Sequence, residues 1–196
     1  MGEALRMVMS PQPWTAGGVV LKASVLKAVE DEALAGYARD EEACGYLKGP
    51  ADEPLLCDEH VRMDNIANKL HAIDPERYFR TARTFFDFNG KRFSDAVEKG
   101  ASAGRPVKVL YHSHLDAGAY FSPTDAAMMS GGEPPAEEGG QIVLGPGPAF
   151  PLAFLVTSVR GGSGEGRPEE APRIAEHRLF VWDGAAFVAS TFSVVD

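Results

Sequence analysis

HSHLDAGAYFSPTD, residues 112–125, is the stretch on which the fold turns. It continues the apolar run PVKVLY of residues 106–111, which reads as a buried strand. Side chains alternate along a strand, so His112 and His114 project from one face, roughly 7 Å apart along the backbone, while Ser113 points away. Asp125 follows within Ser122-Pro123-Thr124-Asp125, which has the cap residue and first-turn proline of a helix start. Two imidazoles and a carboxylate, with a fourth position left to water, form an ordinary donor set for a catalytic zinc ion. Plainer uses stand beside this one. A histidine pair alone can be packed or surface-exposed, Ser122 can serve only as a helix cap, and the helix dipole favours an acidic residue at Asp125.

Other zinc chemistries find less support. A closed structural site needs ligands rich in cysteine, and the chain has 2 cysteines, Cys44 and Cys57. Both lie in apolar stretches and read as reduced, buried thiols rather than nucleophiles. Neither HExxH nor the deaminase pattern of HxE with PCxxC occurs.

Outward from the motif, VVLKA at 19–23 reads as a strand. Ser24 offers an N-cap to a helix carrying Val25, Val29, Ala33 and Tyr37 on one face. Short strands at 44–48 and 55–61, separated by the turn sequence GPADEP, suggest a hairpin. Asp74-Pro75 has a helix-start signature, and Tyr78, Phe79, Ala82, Phe85 and Phe86 beyond it form an apolar stripe at helical spacing. A short helix is expected over 94–99, stopped by Gly100.

Past the motif, FSPTDAAMM begins a helix, after which SGGEPPAEEGG marks 130–140 as a flexible loop. PLAFLVTSV at 151–159 reads as a buried strand, 161–173 as a second flexible loop, and the segment from His177 as a closing hairpin turning at Asp183-Gly184. Residues 1–17 are expected to form a flexible arm and 18–196 a single domain of α+β class.

The chain has 196 residues, 44% of them hydrophobic, enough for one ordinary core. Its formal charge of -9 argues against nucleic acid and anionic membrane as partners, since both reward clustered Lys and Arg. No apolar run reaches the roughly 18 residues of a membrane span, so a cytoplasmic location is expected.

The spacing His-x-His, seven residues, Ser, two residues, Asp resembles the signature of the JAMM (MPN+) metallopeptidase family, which includes deubiquitinating enzymes and their prokaryotic relatives. EEACGYLKG at 41–49 is similar to the segment in which that family carries its catalytic glutamate, here Glu42. Apart from the resemblance, Glu42 beside Glu41 would be a solvated charge. DNIANKLHAIDPERYF at 64–79 resembles the family's Asn-Ile strand end and Asp-Pro helix start. The resemblance spans roughly residues 18–160, with the hairpin after 177 as a closing element.

This resemblance implies the JAMM/MPN fold, a mixed, mostly antiparallel sheet wrapped by helices and related to the cytidine-deaminase-like layout. It makes His112, His114 and Asp125 the ligands of one zinc ion per chain, Glu42 the general acid/base that activates a water on the metal, and Ser122 the hydroxyl beside the oxyanion. The implied reaction is hydrolysis of a peptide or isopeptide bond after the C-terminal glycine of a ubiquitin-like protein. That protein or its conjugate is the implied substrate, and a conjugation-pathway enzyme a further partner. Processing of a sulfur-carrier protein adduct, a non-catalytic MPN scaffold and a zinc amidase for small molecules are the alternatives. The chain departs from the family at Leu115, where proline is usual.

Overall fold

The computed structural model describes residues 11–137, 139–161 and 171–196. Its centre is β5 (Val107–Leu115), buried at every position. Both faces of such a strand must be covered, and both of its edges are paired. On one side lies β2 (Cys44–Lys48), antiparallel, and on the other β6 (Ala153–Arg160), parallel. The sheet extends through β4 (Glu59–Met63) beyond β2, and through β7 (Arg173–Trp182) and β8 (Phe187–Ser190) beyond β6, giving the order β4-β2-β5-β6-β7-β8. Only β5 and β6 run parallel, so the sheet is mixed and mostly antiparallel, as expected.

One face is covered by α1 (Ala23–Ala38), whose Val25 and Val29 pack with Leu47, Val109, Tyr111 and Leu155. The other face carries Phe86, Leu110, Phe154, Val156 and Phe180, together with Phe93 and Val97 of α3 (Gly90–Ser102). A small parallel sheet places β1 (Val19–Lys22) between β3 (Leu56–Cys57) and β9 (Phe192–Val195). Two further helices, α2 (Ala67–Ile73) and α4 (Pro123–Ser130), flank the end of β5 that carries the histidines.

Several local expectations need correction. The helix expected to begin at Ser24 starts at Ala23 instead, with no side-chain cap. The aromatic stripe after Asp74-Pro75 is not a helix. Asp74 does start one turn, accepting from Arg77 N at 3.1 Å and Tyr78 N at 2.8 Å. Beyond it the backbone takes other partners: Ala82 N donates to the Asn68 side chain at 2.8 Å, and Phe85 O accepts from Asn65 Nδ2 at 3.0 Å. The helix lies earlier, at Ala67–Ile73.

The N-terminal expectation falls in part outside the described residues. Within them, Pro13–Ala16 forms a 3-10 turn whose Trp14 is buried in the core, its Nε1 donating to Pro151 O at 2.6 Å. In the 130–140 segment, Glu133 and Val143 exchange backbone bonds of 2.8 and 3.1 Å, and 162–170 of the second expected loop lies outside the described residues. No helix among the described residues is long and apolar enough to cross a membrane.

Candidate metal centre

His112 and His114 lie on β5 opposite Val156 and Ser158 of β6, and their rings turn to the face occupied by Phe86 and Phe121. Both are buried. Phe86 stacks on His112 with centroids 4.4 Å apart, while Tyr120 meets His114 edge-on at 5.1 Å. The Nδ1 of His114 lies 2.8 Å from Gly118 O. A carbonyl only accepts, so Nδ1 carries the proton and Nε2 keeps its lone pair, the tautomer a metal ligand needs. The two Nε2 atoms face each other at 3.2 Å.

Asp125 arrives from α4. Ser122 Oγ accepts from Asp125 N, and Asp125 Oδ2 accepts from Ser122 N, both at 3.0 Å, a reciprocal capping box. This fixes the carboxylate within the first turn and aims Oδ2 at the histidines, 3.3 Å from His112 Nε2 and 3.5 Å from His114 Nε2. Asp125 is buried, which alone would raise its pKa. The neighbouring histidines and the Ser122 hydroxyl outweigh burial and hold the carboxylate well below its ordinary range. Burial likewise lowers the His112 pKa, with Asp125 acting against it.

The donor set fits a single metal ion. Donors held about 2.0–2.2 Å from a tetrahedral centre stand roughly 3.3–3.5 Å from one another. The observed separations of 3.2, 3.3 and 3.5 Å match that spacing. Two imidazole nitrogens and a carboxylate oxygen crowded this closely require a shared cation or proton between them. Among the described residues these three form the group of His, Cys, Asp or Glu side chains able to hold an ion.

Glu42 reaches the same cleft from the turn between α1 and β2. That turn is tight: a Cβ on Gly36 would lie 2.7 Å from Glu41 O, so glycine is required where the chain doubles back. Glu42 N donates to Ala82 O at 2.7 Å, and Glu42 O accepts from Asn65 Nδ2 at 3.0 Å. The next residue is pinned to β5, because Ala43 N donates to Ser113 Oγ at 2.8 Å and Ser113 N to Ala43 O at 2.9 Å. Glu42 is buried, contrary to the solvated reading, and its pKa is raised well above normal by burial and then by the Asp125 charge, with Arg80 opposing. A carboxyl poised to hold a proton suits acid/base work.

Around these groups opens a cleft of about 360 Å³, lined by Glu42, Arg80, His114, Tyr120, Ser122 and Asp125 among others. The structure thus brings the five sequence-derived residues to one place. It adds Ser113, Asn65 and Arg80, to which the sequence pattern assigns no role in the site. Ser113 had a signal, since a hydroxyl on a wholly buried strand must find a partner; Arg80 had none. The remaining histidines serve elsewhere: His60 meets Tyr111 Oη, His71 the Tyr78 carbonyl, and His177 lies between Thr157 and Glu30. Cys44 and Cys57 are buried and free, and burial pushes both thiols up to about 12, which unfits them as nucleophiles.

Fold and site together define an α+β domain whose central strand and flanking helix present a His-His-Asp triad able to hold one metal ion beside a buried glutamate. Residues 22–162 match the family model described as prokaryotic homologs of the JAB domain, and the chain belongs to that family. It is similar in fold to a Desulfitobacterium hafniense protein solved in solution, at 15% identity and TM-score 0.53, covering 91% of this chain and 93% of that one. A Salinibacter ruber protein aligns at 20% identity and TM-score 0.49, over 91% and 92% of the two chains. A JAB1/MPN domain protein from Archaeoglobus fulgidus aligns at 13% identity and TM-score 0.43, over 91% and 99%. No curated protein matches the chain.

Proposed function

We propose that the protein is a zinc-dependent peptidase that hydrolyses a peptide or isopeptide bond after the C-terminal glycine of a ubiquitin-like protein, acting in the cytoplasm. The observation that carries this reading is the buried Glu42 facing the same cleft as three donor atoms at tetrahedral spacing. His112, His114 and Asp125 would hold the metal, which when bound supplies Lewis acidity and brings the pKa of a water to about 7.

The chain's own residues supply the rest. Glu42 accepts a proton from the attacking water as the new C–O bond forms, then returns it to the leaving nitrogen as the C–N bond breaks. The Ser122 oxygen accepts from Asp125 N, and its hydroxyl proton, which supports the Asp125 carboxylate in the resting site, turns to donate to the carbonyl oxygen as negative charge grows there. A glycine on the acyl side suits a cleft confined by Tyr120, Pro123 and Pro135.

The test combines metal analysis with cleavage of a ubiquitin-like protein joined through its terminal glycine to a lysine side chain. Wild-type protein should carry one zinc per chain, and His112→Ala should lose it. Glu42→Gln should retain zinc while cleavage falls about 10²- to 10⁴-fold. Zinc-loaded wild-type protein that cleaves no such conjugate would overturn the ubiquitin-like substrate. Failure to take up zinc at all would overturn the reading at its root.

A further inference from the structure

Beside the cleft lies a second, apolar cavity of about 190 Å³, walled by Leu70, Tyr78, Phe79, Phe85, Met128 and Pro134. Arg77 and Asp87 are the charged residues of its lining apart from Arg80. It is continuous with the cleft, because Arg80, Thr124 and Pro135 line both. Thr124 immediately precedes Asp125, and Phe85 immediately precedes the ring stacked on His112. The cavity therefore lies beside the metal centre. Sites for whole small molecules run to roughly 300–1,000 Å³, so this one is the size for a single side chain.

Arg80 stands at the junction. Its guanidinium lies over the Phe79 ring, 5.2 Å from the centroid, and its Nε is buried with no hydrogen-bond partner among the described residues. That Nε is sealed from solvent, so an incoming acceptor would meet the other N–H groups of the guanidinium, Arg80 being a residue that lines both cavities.

Resting on the peptidase reading, we infer that this cavity is a specificity subsite. It takes one large apolar side chain of the substrate, of leucine or phenylalanine class, within a few residues of the cleaved bond, while Arg80 donates to a neighbouring main-chain carbonyl. An extended substrate makes both contacts together, since its side chains and carbonyls leave the backbone in different directions. Glycines cannot fill the cavity, so the selectivity must come from a residue outside the terminal glycine pair.

Binding is the readout, which separates this inference from the peptidase reading: a protein that never cuts still reports its preference. The probe is a fluorescein-labelled peptide of serines around a central Gly-Gly pair, with leucine placed at each serine position in turn, titrated into zinc-loaded Glu42→Gln protein. Leucine at one position should tighten binding about tenfold or more over the all-serine peptide. Leu70→Trp, which fills the cavity from a half-buried site, should abolish that gain, so that the leucine and all-serine peptides bind this variant equally. Should this variant lose its cooperative unfolding, Met128→Trp fills the cavity from α4. Arg80→Gln should weaken leucine and serine peptides alike by about tenfold, because it removes a main-chain contact. No gain from leucine at any position, or a gain that survives both filling variants, overturns the subsite. Unchanged affinities in Arg80→Gln overturn the carbonyl contact.

Discussion

Ser122 carries two roles through two different parts of one hydroxyl. Its oxygen accepts from Asp125 N at 3.0 Å, which is the cap, while its proton, which supports the Asp125 carboxylate in the resting site, can turn to a substrate oxyanion. Sequence reading left cap and catalysis as rivals, and the geometry makes them compatible. Substitution can still separate them. Removing a capping side chain in favour of alanine costs about 1 kcal/mol, whereas glycine at the same position costs only a few tenths. Ser122→Ala should therefore lower both stability and turnover, the latter by roughly 10²- to 10³-fold if the hydroxyl meets the oxyanion. Ser122→Gly should lower turnover as much while nearly preserving the urea midpoint. Turnover that follows stability across both variants would leave Ser122 as a cap alone.

At the scale of elements, the segment between α2 and α3 shows where pattern and structure part. The spacing of Tyr78, Phe79, Ala82, Phe85 and Phe86 is helical, yet only Ala82 and Phe86 of these are buried, while Tyr78, Phe79 and Phe85 line the side cavity. Periodicity reports apolar positions but not where backbone groups find partners, and here Asn65 and Asn68 supply them. Asn65 is the denser knot. It donates to Glu42 O and Phe85 O at 3.0 Å and accepts from Ala67 N at 3.0 Å and Asp87 N at 3.3 Å. By contrast β5, α1 and α4 were legible, because a continuous apolar run, a helical repeat and a cap followed by proline each report a local preference. Asn65→Ala strands several of those groups at once, so a loss of about 3 kcal/mol in urea denaturation is expected. Because Asn65 also holds the backbone of Glu42, turnover should fall in the same variant while zinc content stays near one per chain. Loss of zinc together with activity would mean that the knot supports the triad rather than the glutamate.

Across the whole molecule, one of the two core clusters lies apart from the metal centre. The packing of α1 against Leu47, Val109 and Leu155 lies on the face of the sheet away from His112 and His114, and β5 is paired along both edges. The small sheet adds a closure that no local pattern announced: β1 pairs with β9 from Val19–Phe192 to Lys22–Val195, joining two ends of the chain through parallel backbone bonds. Pairing over that sequence distance is set by packing of the rest, which is why the sequence suggested a hairpin there but not its partner across the fold. Small zinc-organised domains unfold when stripped; this architecture predicts otherwise. After chelation the protein should keep a cooperative thermal transition at a lower temperature. Zinc at 100 times its dissociation constant should restore about 2.7 kcal/mol, or roughly 5–10 °C for a chain of this length. His112→Ala should show the lower transition with or without zinc, while Glu42→Gln should respond as wild type does, since Glu42 stands outside the donor set. A stripped protein without a cooperative transition would make the metal the organiser of the fold, and a wild-type transition unmoved by zinc would mean that the triad, for all its spacing, does not hold the ion.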